Sequence, residues 1–430
     1  MEILAGAIRG AKHWSFQHVE ELWKWAIPLL KTTISNYSIE TVSDWKTFYS
    51  SITESRDPRK LSALYEFLLT SPLSGDGGAF GDSSRLSMIL YSVIQQEWRI
   101  PEILHRILSL VSQHLSHQYK AVRDEIGRLM ILPTLDKLKD TVEVQTDEGT
   151  TLMEVDGSNS EEDRKEAIRL CKTVLKFLVS SNGRAYETSP QEILPLLPVI
   201  CALDCESTDD DLVVLRNAAF YCLSHALLEE SDIPHVIEMM REVTGLQSWH
   251  ARKSILRYIQ NIVFDNFFLL DNPHYKQQIQ EILFHLICDE QLEVREMASV
   301  TFSGLLHCGF LQLEQGMMDH FEHLRRTKVK KRKLTQALPL DTLIKRHAGV
   351  LGLSACVQAY PYDVPEFVPQ ILMDLSVHVN DPQPIQLTVK KTLSDFRRTH
   401  HDNWLDHKQM FTDDQLVILT DLLISPNYYA

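Results

Sequence analysis

Four times along this chain an apolar residue followed by arginine opens an apolar-periodic helix. Val122-Arg123 precedes Ile126 and Leu129, and Leu215-Arg216 precedes Ala218, Ala219 and Leu223. Ala251-Arg252 precedes Ile255 and Ile259, and Val294-Arg295 precedes Met297, Ala298, Val300 and Leu305. Arg216 and Arg252 stand 36 residues apart, and Arg252 and Arg295 stand 43 apart. An acidic residue often comes just before, as at Asp211, or at Asp289 and Glu293. Other helices without the arginine keep the same period. Arg164 to Val179 places Ala167, Ile168, Leu170, Cys171, Val174, Leu175, Phe177 and Leu178 on one stripe. Pro101 to Leu115 does so with Ile103, Leu104, Ile107, Leu108, Val111 and Leu115. Steps of three and four are the signature of a helix with one buried face. A helix pair of this size cannot bury its own face, so neighbouring pairs must stack.

This recurrence resembles HEAT and armadillo repeats, whose period is about 40–47 residues. It predicts an all-α, HEAT/armadillo-like helical-repeat solenoid, with a plain multi-helix bundle as the alternative. Glycine is scarce, at 16 of 430 residues, which disfavours a turn-rich β fold. A chain of 430 residues is too long for one compact core, which also favours a stack of units. The formal net charge of -15 suits basic partners and argues against direct nucleic-acid binding. Met1 to Trp14 reads as no signal peptide, and no run long enough to span a membrane occurs. The seven cysteines, Cys171, Cys201, Cys205, Cys222, Cys288, Cys308 and Cys356, form no framework. They read as reduced, mostly buried thiols of cytosol or nucleus.

Two stretches interrupt the periodicity and divide the chain. Residues 1–138 read as the first repeats and 139–163 as an acidic disordered loop. Residues 164–324 read as further repeats, 325–338 as a basic loop, and 339–430 as the last repeats with a tail. Gly75 to Gly81 has no phosphate-loop spacing and reads as a flexible connection.

No catalytic constellation emerges, and the chain reads as a non-enzyme. Cys201 and Cys205 have no second ligand pair at zinc spacing and read as core thiols. His400, His401 and His407, with Asp402 and Asp406, read as a solvated polar turn rather than a metal site.

The last twenty residues carry the sharpest signal. Thr412-Asp413-Asp414-Gln415 is a capping box, with Phe411 and Leu416 at the staple positions. The helix it opens should end at Ser425-Pro426, because proline lacks an N–H and disfavours helix in the residue before it. Asn427-Tyr428-Tyr429-Ala430 is left as a short extended end. A chain-terminal carboxylate can be captured by a lysine and backbone donors, and a penultimate tyrosine adds rigid apolar area.

Tyr428-Tyr429-Ala430 resembles the hydrophobic–tyrosine–any-residue tail of proteasome activators. Together with the repeats it resembles the large single-chain activator family, proteasome activator complex subunit four. Trp14-Ser15-Phe16, Lys120 to Glu125, Tyr258-Ile259-Gln260-Asn261 and Ser425 to Ala430 share that resemblance. It covers essentially this whole chain but only the C-terminal quarter or so of the family protein, so Met1 would begin a shorter isoform or a fragment. The resemblance implies ATP-independent docking of Tyr428, Tyr429 and Ala430 into a pocket of the core proteasome α-ring, promoting gate opening. It also implies recognition of acetylated histones by a bromodomain-like region at about 235–325, in chromatin, DNA-repair and spermatogenesis settings. Asn266 and Phe267, with Phe268, Phe264 and Tyr275 nearby, offer an amide and aromatic walls for acetyl-lysine. Their other reading is two core rings and a capping asparagine. The basic run holding Lys330, Lys331, Arg332 and Lys333 reads as a nuclear-localisation segment or a solvated loop, and the family resemblance adds a third reading, an inositol polyphosphate site. No cofactor is required, and residence in nucleus and cytoplasm is implied. The rival functions are a karyopherin-like adaptor and a histone-binding scaffold that does not activate the proteasome.

Overall fold

The computed structural model describes residues 1–34, 37–70, 73, 78–94, 96, 100–130, 161–181, 193–205, 208–327 and 340–423. Among them every regular element is helical and none is a strand. The chain is a helical-repeat solenoid that separates into two units. One comprises Met1–Ile193 and Glu206–Cys222, the other Leu194–Cys205 and Leu223–Ala430.

The first unit holds α1 (Glu2–Gly10), α2 (Phe16–Ile34), α3 (Val42–Thr53), α4 (Ser62–Leu69), α5 (Gly78–Val93), α6 (Pro101–Ser112), α7 (Lys120–Leu129) and α8 (Glu161–Ser181). It also holds α10 (Asp210–Ser224) as far as Cys222. Alternate helices pack in two rows: α1, α3, α5, α7 and α8 in one, α2, α4 and α6 in the other. The stripes read from the sequence face inward. Ile107, Leu108, Val111 and Leu115 are buried, as are Val174, Leu175, Phe177 and Leu178. Helix α8 begins at Glu161, so the acidic stretch gives way to helix two residues before its predicted end. The earlier part of that stretch lies outside the described residues.

The second unit holds α9 (Leu197–Ala202), α11 (Ile233–Thr244), α12 (Trp249–Asp265), α13 (Pro273–Leu286), α14 (Leu292–His307), α15 (Gln315–Arg325), α16 (Leu340–Gln358), α17 (Val368–Ser376), α18 (Ile385–Thr399) and α19 (Asp413–Leu423). Helices α9, α12, α14, α16 and α18 pack in succession. Helix α11 packs on α13, and α15 packs on α16.

The recurring arginine has a physical job. In α7, α12 and α14 it is buried, and its Nη1 donates to two carbonyls of the turn before its own helix. Arg123 reaches the carbonyls of His117 at 2.6 Å and Gln118 at 3.1 Å. Arg252 reaches Leu246 at 2.8 Å and Gln247 at 2.9 Å. Arg295 reaches Asp289 at 2.6 Å and Glu290 at 2.9 Å. Each guanidinium satisfies carbonyls that the turn would otherwise leave buried without donors. Burial pushes Arg123 and Arg295 down from the ordinary arginine range, whereas donation to the Asp289 carboxylate raises Arg252. Arg216 is equally buried, but its Nη1 donates to Asn217 Oδ1 instead.

The acidic residues of the pattern link repeats. Asp289 accepts from Arg252 Nε at 2.6 Å and Nη2 at 3.1 Å, with both side chains nearly inaccessible. In the first unit Asp211 pairs with Lys120 and Lys172, and Asp209 with Lys172 at 2.8 Å. Not every thiol is buried as predicted. Cys201 and Cys356 are, but Cys205 and Cys308 are exposed, because both fall at helix ends where the apolar face runs out. Burial pushes the Cys171 thiol up to about 11 and the Cys356 thiol up to about 12, which suits inert groups.

Candidate functional site

The last described helix is the platform from which the tail leaves. Its predicted capping box forms reciprocally: Gln415 N–H donates to Thr412 Oγ1 at 3.3 Å, and Thr412 N–H to Gln415 Oε1 at 2.9 Å. Phe411, just before the box, is buried, with its ring centroid 5.7 Å from Trp404 and 6.2 Å from Phe396. Leu419 is buried and α19 packs on α17 and α18. Tyr428, Tyr429 and Ala430, the predicted docking residues, lie outside the described residues.

Asn266 is placed where its amide serves its own chain. Its Oδ1 accepts from Leu228 N–H at 2.8 Å. Its Nδ2 donates to the carbonyls of Ala226 at 2.9 Å and Ile262 at 3.1 Å. It therefore ties the end of α12 to the turn at 226–228. An acetyl carbonyl could reach the amide only by displacing those bonds. Phe267 is half-buried and its ring stands edge-on to Phe310 at 5.7 Å, a core contact. Phe264 and Phe268 are exposed. In this structure Asn266 braces the turn and Phe267 packs on the core.

Lys330, Lys331, Arg332 and Lys333 lie outside the described residues. The basic run was expected to begin at Arg325, but Arg325 is buried at the end of α15 and paired with Glu322 and with Asp374 at 2.9 Å. Carboxylates at both sides hold it in the fold. His400 also departs from expectation. It is buried, stacked on Phe396 at 4.1 Å, with Nδ1 2.9 Å from the Phe396 carbonyl and Nε2 3.1 Å from the Asp363 carbonyl. The return of the chain after α18 buries it, whereas its neighbour His401 stays exposed. Among the described residues no group of His, Cys, Asp and Glu is arranged to hold a metal, and no helix is long and apolar enough to cross a membrane.

Two features escaped the sequence reading. A Cβ on Gly349 would lie 2.6 Å from the Phe321 carbonyl oxygen and 2.8 Å from Arg325 Cα, so only glycine lets α16 approach the α15 backbone. One turn on, a Cβ at Gly352 would strike the Phe321 ring. Glycines three apart within an apolar helix were the available signal. The second is His347, fully buried between repeats. Arg295 Nε donates to its Nδ1 at 3.2 Å, which leaves Nε2–H to donate to Thr388 Oγ1 at 2.8 Å. Burial, aided by the Arg295 charge, pushes this imidazole down to about 3.

The helical end just described matches known proteins in sequence. Residues 343–430 match the family described as Proteasome activator complex subunit 4-like, C-terminal. Residues 1–91 match Proteasome activator complex subunit 4-like, HEAT repeat-like. Over 463 aligned residues the chain is 47% identical to Proteasome activator complex subunit 4B of Danio rerio, covering 100% of this chain and 25% of that protein. The chain belongs to the proteasome activator complex subunit 4 family. Proteasome activator complex subunit 4 of Homo sapiens is likewise 47% identical over 463 residues, with the same two coverages. The chain thus spans about a quarter of the length of these family members. Importin beta, solved in a polyethylene glycol condition, is 14% identical with a TM-score of 0.36, over 97% of this chain and 56% of that chain. That likeness is too loose to bear on function. Within the family's C-terminal segment fall His347, Gly349, the capping box and the terminal tyrosines. Asn266 and Lys330 to Lys333 fall outside both family segments.

Proposed function

We propose that the chain works in ATP-independent activation of the core proteasome, with Tyr428, Tyr429 and Ala430 as the docking group. The supporting observation is the base of the tail. A reciprocally capped helix, anchored by buried Phe411 and Leu419, holds the point from which the last seven residues depart. The family name carried by its relatives supplies the partner.

The chemistry is binding alone. The terminal carboxylate pairs with a cationic pocket on the α-ring, and a charge-assisted contact of this kind is stronger than a neutral one. Tyr429 adds rigid apolar area and one hydroxyl. A tail that binds the open ring better than the closed ring shifts the gate by that difference in affinity.

The test is peptide hydrolysis by purified core particles mixed with the full chain and with a version lacking residues 428–430. Stimulation by the full chain, lost on deletion, is the expected result. A tag added after Ala430 should abolish it equally. Unchanged stimulation after deletion would rule the tail out.

A further inference from the structure

Helix α19 has more apolar surface than its own fold uses. Leu416, Val417, Ile418 and Leu419 form an unbroken apolar run. Leu419 is 1% exposed, while Val417 is 62% and Ile418 43% exposed. At 3.6 residues per turn Val417 and Leu419 point roughly 160° apart. A solvent-facing helix normally carries polar residues opposite its buried stripe. The turn leading into α19 repeats the pattern, with Leu405 72% and Met410 43% exposed. The margin is acidic. Asp406, Asp413 and Asp414 are exposed and form no ion pair among the described residues.

We propose that the Val417–Ile418 face of α19 is a second contact with the core proteasome, seated on an apolar, basic-rimmed strip of the α-ring beside the pocket that takes the tail. This rests on the tail-docking reading. Residues 424–430 can span at most about 25 Å, so a seated tail brings α19 onto the ring surface next to its pocket. The acidic margin of α19 selects a strip of opposite charge and speeds encounter. The tail supplies the anchor, and the helix face supplies apolar area that also fixes its approach angle.

The experiment measures binding of the full chain to immobilised core particles. Its arms are the unsubstituted chain, deletion of 428–430, Val417→Lys with Ile418→Lys, and Val417→Ala with Ile418→Ala. Lysine and alanine both favour helix, and thermal melting checks that α19 stays folded. Ile39→Lys, at an exposed apolar position of the first unit, controls for added charge. The lysine pair should weaken binding roughly tenfold or more, the alanine pair less, and Ile39→Lys not at all. Binding by the lysine pair equal to that of the unsubstituted chain, while the tail deletion abolishes binding, overturns this inference and leaves the tail reading intact. Absence of tail-dependent binding by the unsubstituted chain overturns both.

Discussion

The middle of the second unit and its C-terminal end treat polar and apolar groups in opposite ways. Between α12 and α18 a chain of buried polar groups is matched: Arg252 with Asp289, Arg295 with His347, His347 with Thr388. At α19 the cap is satisfied, yet Val417 and Ile418 face solvent and Asp413 and Asp414 have no cationic partner among the described residues. The matched groups of the first region are committed to the fold, so these residues set stability. The second keeps interaction capacity in reserve, so its residues set recognition. Changes in the first should alter melting, and changes in the second should alter binding with melting nearly constant.

Asp289→Ala should break this comparison hardest. It leaves the buried Arg252 guanidinium with only its longer contact to the exposed Glu290 carboxylate at 3.4 Å, and breaking such a pair costs about 3–5 kcal/mol. Urea unfolding monitored by circular dichroism would read it, and a loss below about 1 kcal/mol would mean that Glu290 or water replaces Asp289. Gly349→Ala comes next. Its methyl group enters the α15 backbone, where no side chain can rotate away, and overpacking of this kind costs about 1–3 kcal/mol. The same melt should show it, and Val350→Ala, on the same helix, separates overpacking from simple loss of volume.

Acid acts through His347. Its folded-state value lies near 3 against an ordinary 6.5, so the unfolded chain takes up a proton first as pH falls. Stability from this group is therefore present above about 6.5 and drains away as pH falls toward 3. Between pH 7 and pH 5 the loss is about 2 kcal/mol. His347→Gln should flatten that part of the stability–pH curve, and an unchanged slope would place the effect on other groups. The smallest effect belongs to the end region. Thr412→Ala removes the cap of α19 and should cost about 1 kcal/mol in unfolding while weakening core-particle binding further, because the platform frays.

Periodicity read the helices well because a buried stripe needs apolar residues at fixed steps. It placed Val174, Leu175, Phe177 and Leu178 inward, and the capping box at Thr412 formed as written. Charge read less well. Arg325 looked like the start of a basic run, yet Glu322 and Asp374 hold it in the fold, and Asp374 is far from it in sequence. His400 looked solvated beside His401, and only the fold brings the Asp363 carbonyl, well before it in sequence, and the His407 ring, after it, against its imidazole. Asn266 offered an amide to a ligand, and only the fold brought Ala226 and Leu228 to occupy it.

Local sequence alone therefore determined that this chain is a stack of helix pairs, where many of its helices lie, and which arginines mark its repeats. Those properties follow from spacing along one helix, which is set within a few residues. Which arginine meets a carboxylate, which histidine stays neutral, which glycine admits a neighbouring backbone and which apolar side chains remain uncovered were decided by tertiary structure. Each depends on a partner about 20 to 50 residues away, and spacing along one helix carries no information about what lies across from it.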